Sequence, residues 1–354
     1  MPTIPAIDRA VAEMLRGGDG VWLADGAPES GAAGYGAVVQ TSGSAGASKL
    51  VLLSRRAMIA AADATTAWLG GPATWHLALA PRYVAGLMVL VRGHLGRGVR
   101  FASSDLDDLS PTPGLNAISV VPTQLYRAVR EPARAASLAR FDAVLVGGAA
   151  LAPGLRAAAQ AAGIRVVETY GMSETCGGIV YDRAPLPGVE VGILPDERAP
   201  EGAGRVTLSG PTLFDGYLGR EDLTAEVLVD GALRTGDWGR IVDGRLEIGG
   251  RLDDVVITGG TNVDLAALRA AAQRIDVDTE VIAVPDDEWG VRIVLAATSG
   301  DLAAWRERLS GALPRPALPR QLLRLPELPR TEGGKPDRAA LREEAERGNV
   351  RSSQ

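Results

Sequence analysis

The stretch PRTEGGKPDR holds Lys335, and the stretch TSGSAGASK ends on Lys49. These are the only two lysines among 37 basic residues; all the others are arginine. Arginine presents a flat fork of donors, whereas lysine is a compact point charge on a flexible stem. A chain this biased towards arginine keeps lysine where one positive charge must sit between small anionic oxygens. The residues before Lys49 suit such an anion. Thr41, Ser42, Gly43, Ser44, Ala45 and Gly46 are small enough for the backbone to come close, and the N–H groups with the hydroxyls of Thr41, Ser42 and Ser44 can cradle phosphate oxygens. A flexible serine–glycine turn has the same composition. The switch-type phosphate loop, G-x-x-x-x-G-K-[ST], is not met.

Three further stretches carry chemistry. In VVETYGMSET (166–175) an apolar strand ends on Tyr170, Gly171, Met172, Ser173, Glu174 and Thr175. An aromatic ring there can flank a nucleobase, and the Glu174 carboxylate can hold Mg²⁺, which takes one or two carboxylates together with phosphate oxygens. Ser173 or Thr175 also suits a helix cap. In LRTGDWGRI, Asp237 follows a Thr-Gly turn and can accept from both hydroxyls of a ribose, although aspartate is common in turns. GRLDDVVITGG brings Arg251, Asp253 and Asp254 close to the pair Gly259–Gly260.

The elements that position these residues follow from hydrophobic period. Residues 6–16 and 55–69 have the spacing of helices, YGAVVQ (35–40) and LVLLS (50–54) that of short buried strands. WHLALAP, VRFAS, AISVVP and FDAVLVGG are apolar runs that end in turn residues. They alternate with helical patterns such as TQLYRAVREPARAASLAR and APGLRAAAQAAG, which predicts an α/β domain with a largely parallel sheet. After Gly171 the texture becomes short, turn-rich and β-like, as expected of a smaller sheet region closing that domain. A new unit begins near 252, with a helix at 264–274, strands at EVIAVP and RIVLAATSG, and a helix from 301. The proline-rich PALPRQLLRLPELPR is expected to wrap the surface.

Composition narrows the classes. With 354 residues and 46% hydrophobic residues the chain can bury a large core and a small one. A net charge of −6 without a basic run argues against nucleic acid as a partner. One cysteine, Cys176, excludes an internal disulfide framework and suits a reducing cytoplasm. With only His76 and His94 beside it, no His/Cys metal site can be built. The first 20 residues lack the basic start and apolar core of a signal peptide, and no apolar run reaches the ~20 residues of a membrane span.

The order and spacing of the five motifs resemble the adenylate-forming superfamily, which comprises acyl-CoA synthetases, luciferases and peptide-synthetase adenylation domains. Its phosphate loop is matched by Thr41–Lys49, its Tyr-Gly-Met-Ser/Thr-Glu-Thr by 170–175 and its Thr-Gly-Asp by 235–237. Its Gly-Arg-x-Asp-Asp hinge is matched by 250–254 and its Pro-Arg-Thr-x-x-Gly-Lys by 329–335. The resemblance implies a large N-terminal adenylating domain (1–251) of layered α/β sheets with a smaller β subdomain, and a small mobile α+β C-terminal lid (252–354). It implies ATP and Mg²⁺ as cofactors and coenzyme A as co-substrate. Thr41–Gly46 and Lys49 would hold the β- and γ-phosphates. Gly148 and Ala149 would line the adenine pocket, with Tyr170 stacked on the base, and Gly171, Met172, Ser173 and Thr175 belong to the same nucleotide motif. Glu174 would bind the metal, Asp237 the ribose with Arg251 nearby, and Lys335 would bridge the attacking carboxylate and the α-phosphate. Asp253 would be the hinge.

The sequence departs from the superfamily pattern in three places. Only 40 residues precede Thr41, where most members have a much longer leader. Ala45, Ala47 and Ser48 replace a threonine, a variable residue and a proline. Tyr83 stands where many relatives have a histidine. The short leader and the segments APRYVAGLMVLVRG, ISVVPTQLYRAV and VGGAALAPGL resemble the compact o-succinylbenzoate–CoA ligases of menaquinone biosynthesis. A ligase for another aromatic or short-chain acid is the alternative. The expected partners are small molecules (o-succinylbenzoate, ATP, coenzyme A), with no nucleic acid and no membrane span, and a homodimer is compatible with the resemblance. Such an acid carries a second carboxylate, and a buried carboxylate needs a cation or donors. Val84, Gly86 and Leu87 are the expected wall of the acyl pocket, Tyr83 its entrance, and Gly177, with Thr175, Cys176 and Gly178, its small polar side. Arg82, Arg92 and His94 are the nearest cations in sequence.

Overall fold

The computed structural model describes residues 2–29, 34–41, 48–330 and 336–352, which group into two compact units. The first holds 1–192, 207–235 and 241–247; the second holds 193–206, 236–240 and 248–354.

In the first unit, helix α1 (Ile4–Leu15) precedes a four-stranded sheet of β1 (Val21–Leu23), β2 (Ala37–Thr41) and β3 (Lys49–Leu53), completed by a strand from much later in the chain. Helix α2 (Arg55–Leu69) has the predicted bounds because both ends are written locally. Ser54 caps the first turn by accepting from the Ala57 N–H at 3.3 Å, and Gly70 ends it at φ +79°.

Next come β4 (Thr74–Leu77), α3 (Val84–Leu95), β5 (Val99–Phe101), β6 (Asn116–Val120), α4 (Pro122–Val129), α5 (Pro132–Leu138), β7 (Ala143–Val146), α6 (Pro153–Ala161), β8 (Val166–Met172), β9 (Gly177–Tyr181) and β10 (Ala184–Pro185). These strands form a seven-stranded sheet ordered β10-β9-β8-β7-β6-β4-β5. It is parallel from β5 to β8 and antiparallel at β9 and β10. The stretch TQLYRAVREPARAASLAR forms two helices rather than one continuous pattern. Pro132 has no N–H to give to the preceding turn, so the first helix stops before it. Helix α3 is apolar nearly all round, and Leu87 to Val91 are fully buried. Burial of side chains of this size contributes roughly 1.5–3 kcal/mol each.

Strands β11 (Glu190–Leu194) and β12 (Gly204–Ser209) follow, then β13 (Gly216–Tyr217), which lies antiparallel to β3 and completes the first sheet. Helix α7 (Glu221–Val227), β14 (Leu228–Val229), β15 (Ala232–Val242) and β16 (Arg245–Arg251) complete the β-rich region expected after Gly171.

The second unit contains β17 (Val255–Thr258) and β18 (Thr261–Asp264), paired as a hairpin, then α8 (Leu265–Ile275), β19 (Thr279–Asp286), β20 (Gly290–Ala297), α9 (Leu302–Ser310), β21 (Gln321–Arg324) and α10 (Arg338–Ser352). Here the proline-rich stretch departs from expectation. Instead of only wrapping the surface, it supplies β21, parallel to β20 with Val294 opposite Gln321 and Ala297 opposite Arg324. Pro319 and Pro326 bracket six residues that keep their N–H groups, and those residues can pair. Among the described residues, no helix is long and apolar enough to cross a membrane.

Candidate active site

Two of the predicted site residues are register partners. Thr41 and Lys49 face each other at the loop end of the β2–β3 hairpin, and the Thr41 hydroxyl donates to the Lys49 carbonyl at 3.3 Å. Ser42, Gly43, Ser44, Ala45 and Gly46 lie between them and outside the described residues. The neighbouring pair is tied by side chains. Gln40 donates through Nε2 to the Ser48 hydroxyl at 2.9 Å and accepts from the Asp25 N–H at 2.9 Å.

Register also decides where Lys49 goes. Val51 pairs with Tyr217 across β3 and β13. Lys49, two residues before Val51, shares its face and reaches Tyr217 diagonally. Its ammonium lies 4.7 Å from the centroid of the Tyr217 ring. The Tyr217 hydroxyl in turn donates to Glu174 Oε1 at 2.7 Å. Burial, and after it the Glu174 charge, push the Tyr217 phenol well above its ordinary range, so the ring keeps its proton as a donor. Cation, ring and carboxylate form one line of contacts from the start of β3 through β13 to the turn that follows β8. The backbone reinforces it, because the Phe214 N–H donates to the Glu174 carbonyl at 2.9 Å.

The turn that carries Glu174 is built from its own sequence. Thr175 is fully buried; its hydroxyl accepts from the Met172 N–H at 2.9 Å and lies 2.7 Å from the Gly177 carbonyl. It is the last residue of the short turn Ser173–Thr175, whose N-cap is Met172 rather than Ser173 or Thr175, and its hydroxyl is committed to backbone. Gly171 is required by space: a Cβ there would sit 2.0 Å from the Gly177 oxygen. Tyr170 and Met172 are half-buried on β8, with a register shift between Tyr170 and Gly171. The parallel pairing of Val146 with Glu168 brings Gly148, at φ +81°, and the exposed Ala149 to the level of Tyr170, at the carboxyl ends of the strands. Ligands of open α/β sheets bind at such ends.

The expected acyl wall lies on α3 and β9. Tyr83, 46% exposed, precedes α3 and carries the Arg82 guanidinium 4.6 Å from its ring centroid. Val84 is half-buried, while Gly86 and Leu87 are buried. Gly177 takes φ +89°, and a Cβ there would be 3.8 Å from the Met88 side chain of α3. His94 is engaged by Asp8 at 2.7 Å.

In the second unit, Arg251 joins the expected ribose residue to the expected hinge residue. It reaches Asp237 Oδ1 at 3.3 Å through Nη1 and Asp253 Oδ2 at 2.9 Å through Nη2. Burial opposes its charge, but the Asp237 and Asp253 carboxylates outweigh it and hold its pKa above the ordinary value. Asp237 is itself buried. Lys335 lies outside the described residues, but the chain on either side of it is fixed. Arg330 bridges Pro336, and the Asp337 N–H donates to the Pro329 carbonyl at 2.8 Å. Arg338, at the start of α10, approaches the buried Glu280 carboxylate at 3.4 Å, where Arg269 also donates.

Tyr217 is the participant that sequence reasoning missed. It sits in PTLFDGYL, and a buried aromatic in a β-like segment shows nothing of its partner until strands are paired. Among the described residues, no three His, Cys, Asp or Glu side chains gather as a metal cage. Glu174 fits a magnesium ion shared with phosphates: one oxygen takes the Tyr217 hydroxyl, and the other takes no hydrogen bond from the described residues.

Comparison with known proteins gives a consistent result. The family model described as AMP-binding enzyme matches residues 35–218. A Mycobacterium tuberculosis protein named Probable 2-succinylbenzoate–CoA ligase is 38% identical over 86% of this chain and 83% of its own length. The 2-succinylbenzoate–CoA ligase of Enterococcus faecalis is 28% identical over 84% and 67%. Among solved structures, ATP-bound MatB from Rhodopseudomonas palustris superposes with a TM-score of 0.72 at 27% identity, covering 87% of this chain and 68% of MatB. The o-succinylbenzoate CoA synthetase MenE from Bacillus subtilis, in complex with the acyl-adenylate OSB-AMP, gives a TM-score of 0.73 at 24% identity, covering 87% and 69%.

Proposed function

This chain belongs to the AMP-binding enzyme family, and from that premise we propose that it is a 2-succinylbenzoate–CoA ligase. It activates the acid with ATP as an acyl-adenylate, releases pyrophosphate, and passes the acyl group to coenzyme A, a step of menaquinone biosynthesis. The observation that carries this reading is the 38% identity to the mycobacterial ligase along most of both chains. The Lys49–Tyr217–Glu174 line supports the ATP half of it.

The chemistry asks an anionic carboxylate to attack an anionic phosphate. Positive charge must stand where negative charge accumulates, and the reactants must be held in position. We assign the β- and γ-phosphates to residues 41–46 and Lys49. Gly148, Ala149 and Tyr170 take the adenine, and Asp237, steadied by Arg251, takes the ribose. Lys335 bridges carboxylate and α-phosphate. Magnesium neutralises phosphate charge when bound, and Glu174 is its protein ligand. Asp253 is the hinge of a lid that begins at residue 252. The reading brings two further expectations, a cytoplasmic location and a homodimer, which cell fractionation and sedimentation check.

The test is an assay of pyrophosphate release and thioester formation with ATP, magnesium, coenzyme A and a panel of acids. 2-Succinylbenzoate is expected to give the highest kcat/KM. A preference for a long-chain fatty acid would overturn the substrate assignment; absence of any acid-dependent pyrophosphate would overturn the activity.

A further inference from the structure

Arg92 is deeply buried, and two of its three guanidinium nitrogens lack a hydrogen-bond partner among the described residues. It lies on α3 with 4% of its surface exposed, and the two nitrogens are Nε and Nη2. Its guanidinium lies 5.2 Å from the centroid of the Trp75 ring. That contact favours the cation but leaves those N–H groups without acceptors. Burial of a charge without a counter-ion is among the costliest arrangements in a protein.

The position of Arg92 indicates what would complete it. Met88, four residues earlier, shares its helix face and is the side chain that a Cβ on Gly177 would meet. Arg92 therefore faces the β8–β9 turn that supplies the small side of the acyl site. The Cys176 thiol feels it: burial pushes that thiol up, the Arg92 charge pulls against it, and the Asp215 carboxylate adds to the rise. The other cations of the segment are engaged. Arg82 is exposed and donates to Tyr83, and His94 is held by Asp8.

We propose that Arg92 is the specificity-determining cation of the acyl site, binding the second, non-reacting carboxylate of an aromatic dicarboxylic acid. This rests on the function proposed above. A carboxylate matches the unfilled donors of a guanidinium, and a site built to hold it rejects the analogue that lacks it, because those donors are then left unfilled. A purely apolar acyl chain would leave the same charge buried.

The experiment compares kcat/KM for 2-succinylbenzoate and for 3-benzoylpropionate, the same acid without its ring carboxylate, in the unaltered protein, Arg92→Met and Arg92→Lys. Methionine keeps the apolar stem against Trp75 without the charge. It is expected to lower kcat/KM for the dicarboxylate at least tenfold and to leave the monocarboxylate within twofold, while lysine retains part of the selectivity. Equal loss on both acids, or no loss on either, overturns the role of Arg92 and leaves the proposed function standing. An unaltered protein that activates neither acid overturns that function and this inference with it. If Arg92→Met does not fold, Arg92→Lys decides: a selectivity reduced more than threefold supports the role, and an unchanged one rejects it.

Discussion

Lys49 holds its ammonium over the ring of Tyr217, and the hydroxyl of that same ring holds Glu174. A residue expected to touch phosphate and one expected to touch metal are thus coupled through a third. Removing the hydroxyl alone, by Tyr217→Phe, keeps the cation over a ring but releases Glu174. A hydrogen bond to a charged group contributes about 1.5 kcal/mol, so ATP–pyrophosphate exchange should slow roughly tenfold. Tyr217→Leu removes the ring as well and should add a rise in KM for ATP. Exchange rates equal to those of the unaltered protein in both variants would show that the line is only structural.

Lys335→Ala should abolish adenylate formation and largely spare thioester formation from supplied acyl-adenylate. Its charge is needed when carboxylate meets phosphate, not when a thiol meets the anhydride. Lys335→Arg should rescue poorly, because a planar fork is no substitute for a point charge. Near-normal exchange in the arginine variant would remove the role assigned to this lysine.

Asp253→Pro restricts the backbone at the proposed hinge and deletes a partner of Arg251. It should slow one half-reaction far more than the other when exchange and thiolation are measured separately. Equal slowing of both points to loss of the Arg251 contact alone.

Gly171→Ala places a methyl group 2.0 Å from the Gly177 oxygen, a backbone atom that cannot step aside. Overpacking of this kind costs about 2–3 kcal/mol, lowering Tm by about 5–10 °C in calorimetry. An unchanged Tm would mean that the β8–β9 turn relaxes freely.

His76 sets a pH dependence of stability. It is buried against Phe141, its Nε2 lies 3.2 Å from Asn116 Oδ1, and burial holds its pKa below the ordinary value. The folded protein therefore keeps the ring neutral where the unfolded chain, with a histidine pKa of about 6.5, takes up a proton. Protons bind more to the unfolded state below that pH, so this group's contribution is complete above it and is lost as the solution is acidified. Thermal unfolding from pH 7 to 5 should show the decline, and His76→Gln, which retains a donor for Asn116, should flatten it. An identical decline in the variant would place the titration elsewhere.

Much of the fold was legible because its signals are local. Ser54 and Gly70 mark both ends of α2, and Thr41 and Lys49 bracket a hairpin tip. Other features depend on pairings between distant segments. Nothing near Tyr217 in sequence tells that it sits opposite Val51, and from there under Lys49 and against Glu174. The bridging of Asp237 and Asp253 by Arg251 has the same character, as does the burial of Arg92. The strand inside the proline-rich segment was missed because composition was weighed over the six residues that still carry N–H groups.

The hairpin register has a consequence for how this loop can drift. Thr41 and Lys49 are set opposite each other by β2 and β3 themselves, so the placement of the two ends does not depend on the residues between them. Ser48 stands where the resembling proteins carry a proline, and its hydroxyl is fastened to Gln40, itself fastened to Asp25. A hydrogen-bonded latch thus occupies the place of a rigid ring. Replacements in Ala45 to Ala47 should therefore accumulate in descendants of this chain faster than changes at Gln40, Ser48 or the paired strands.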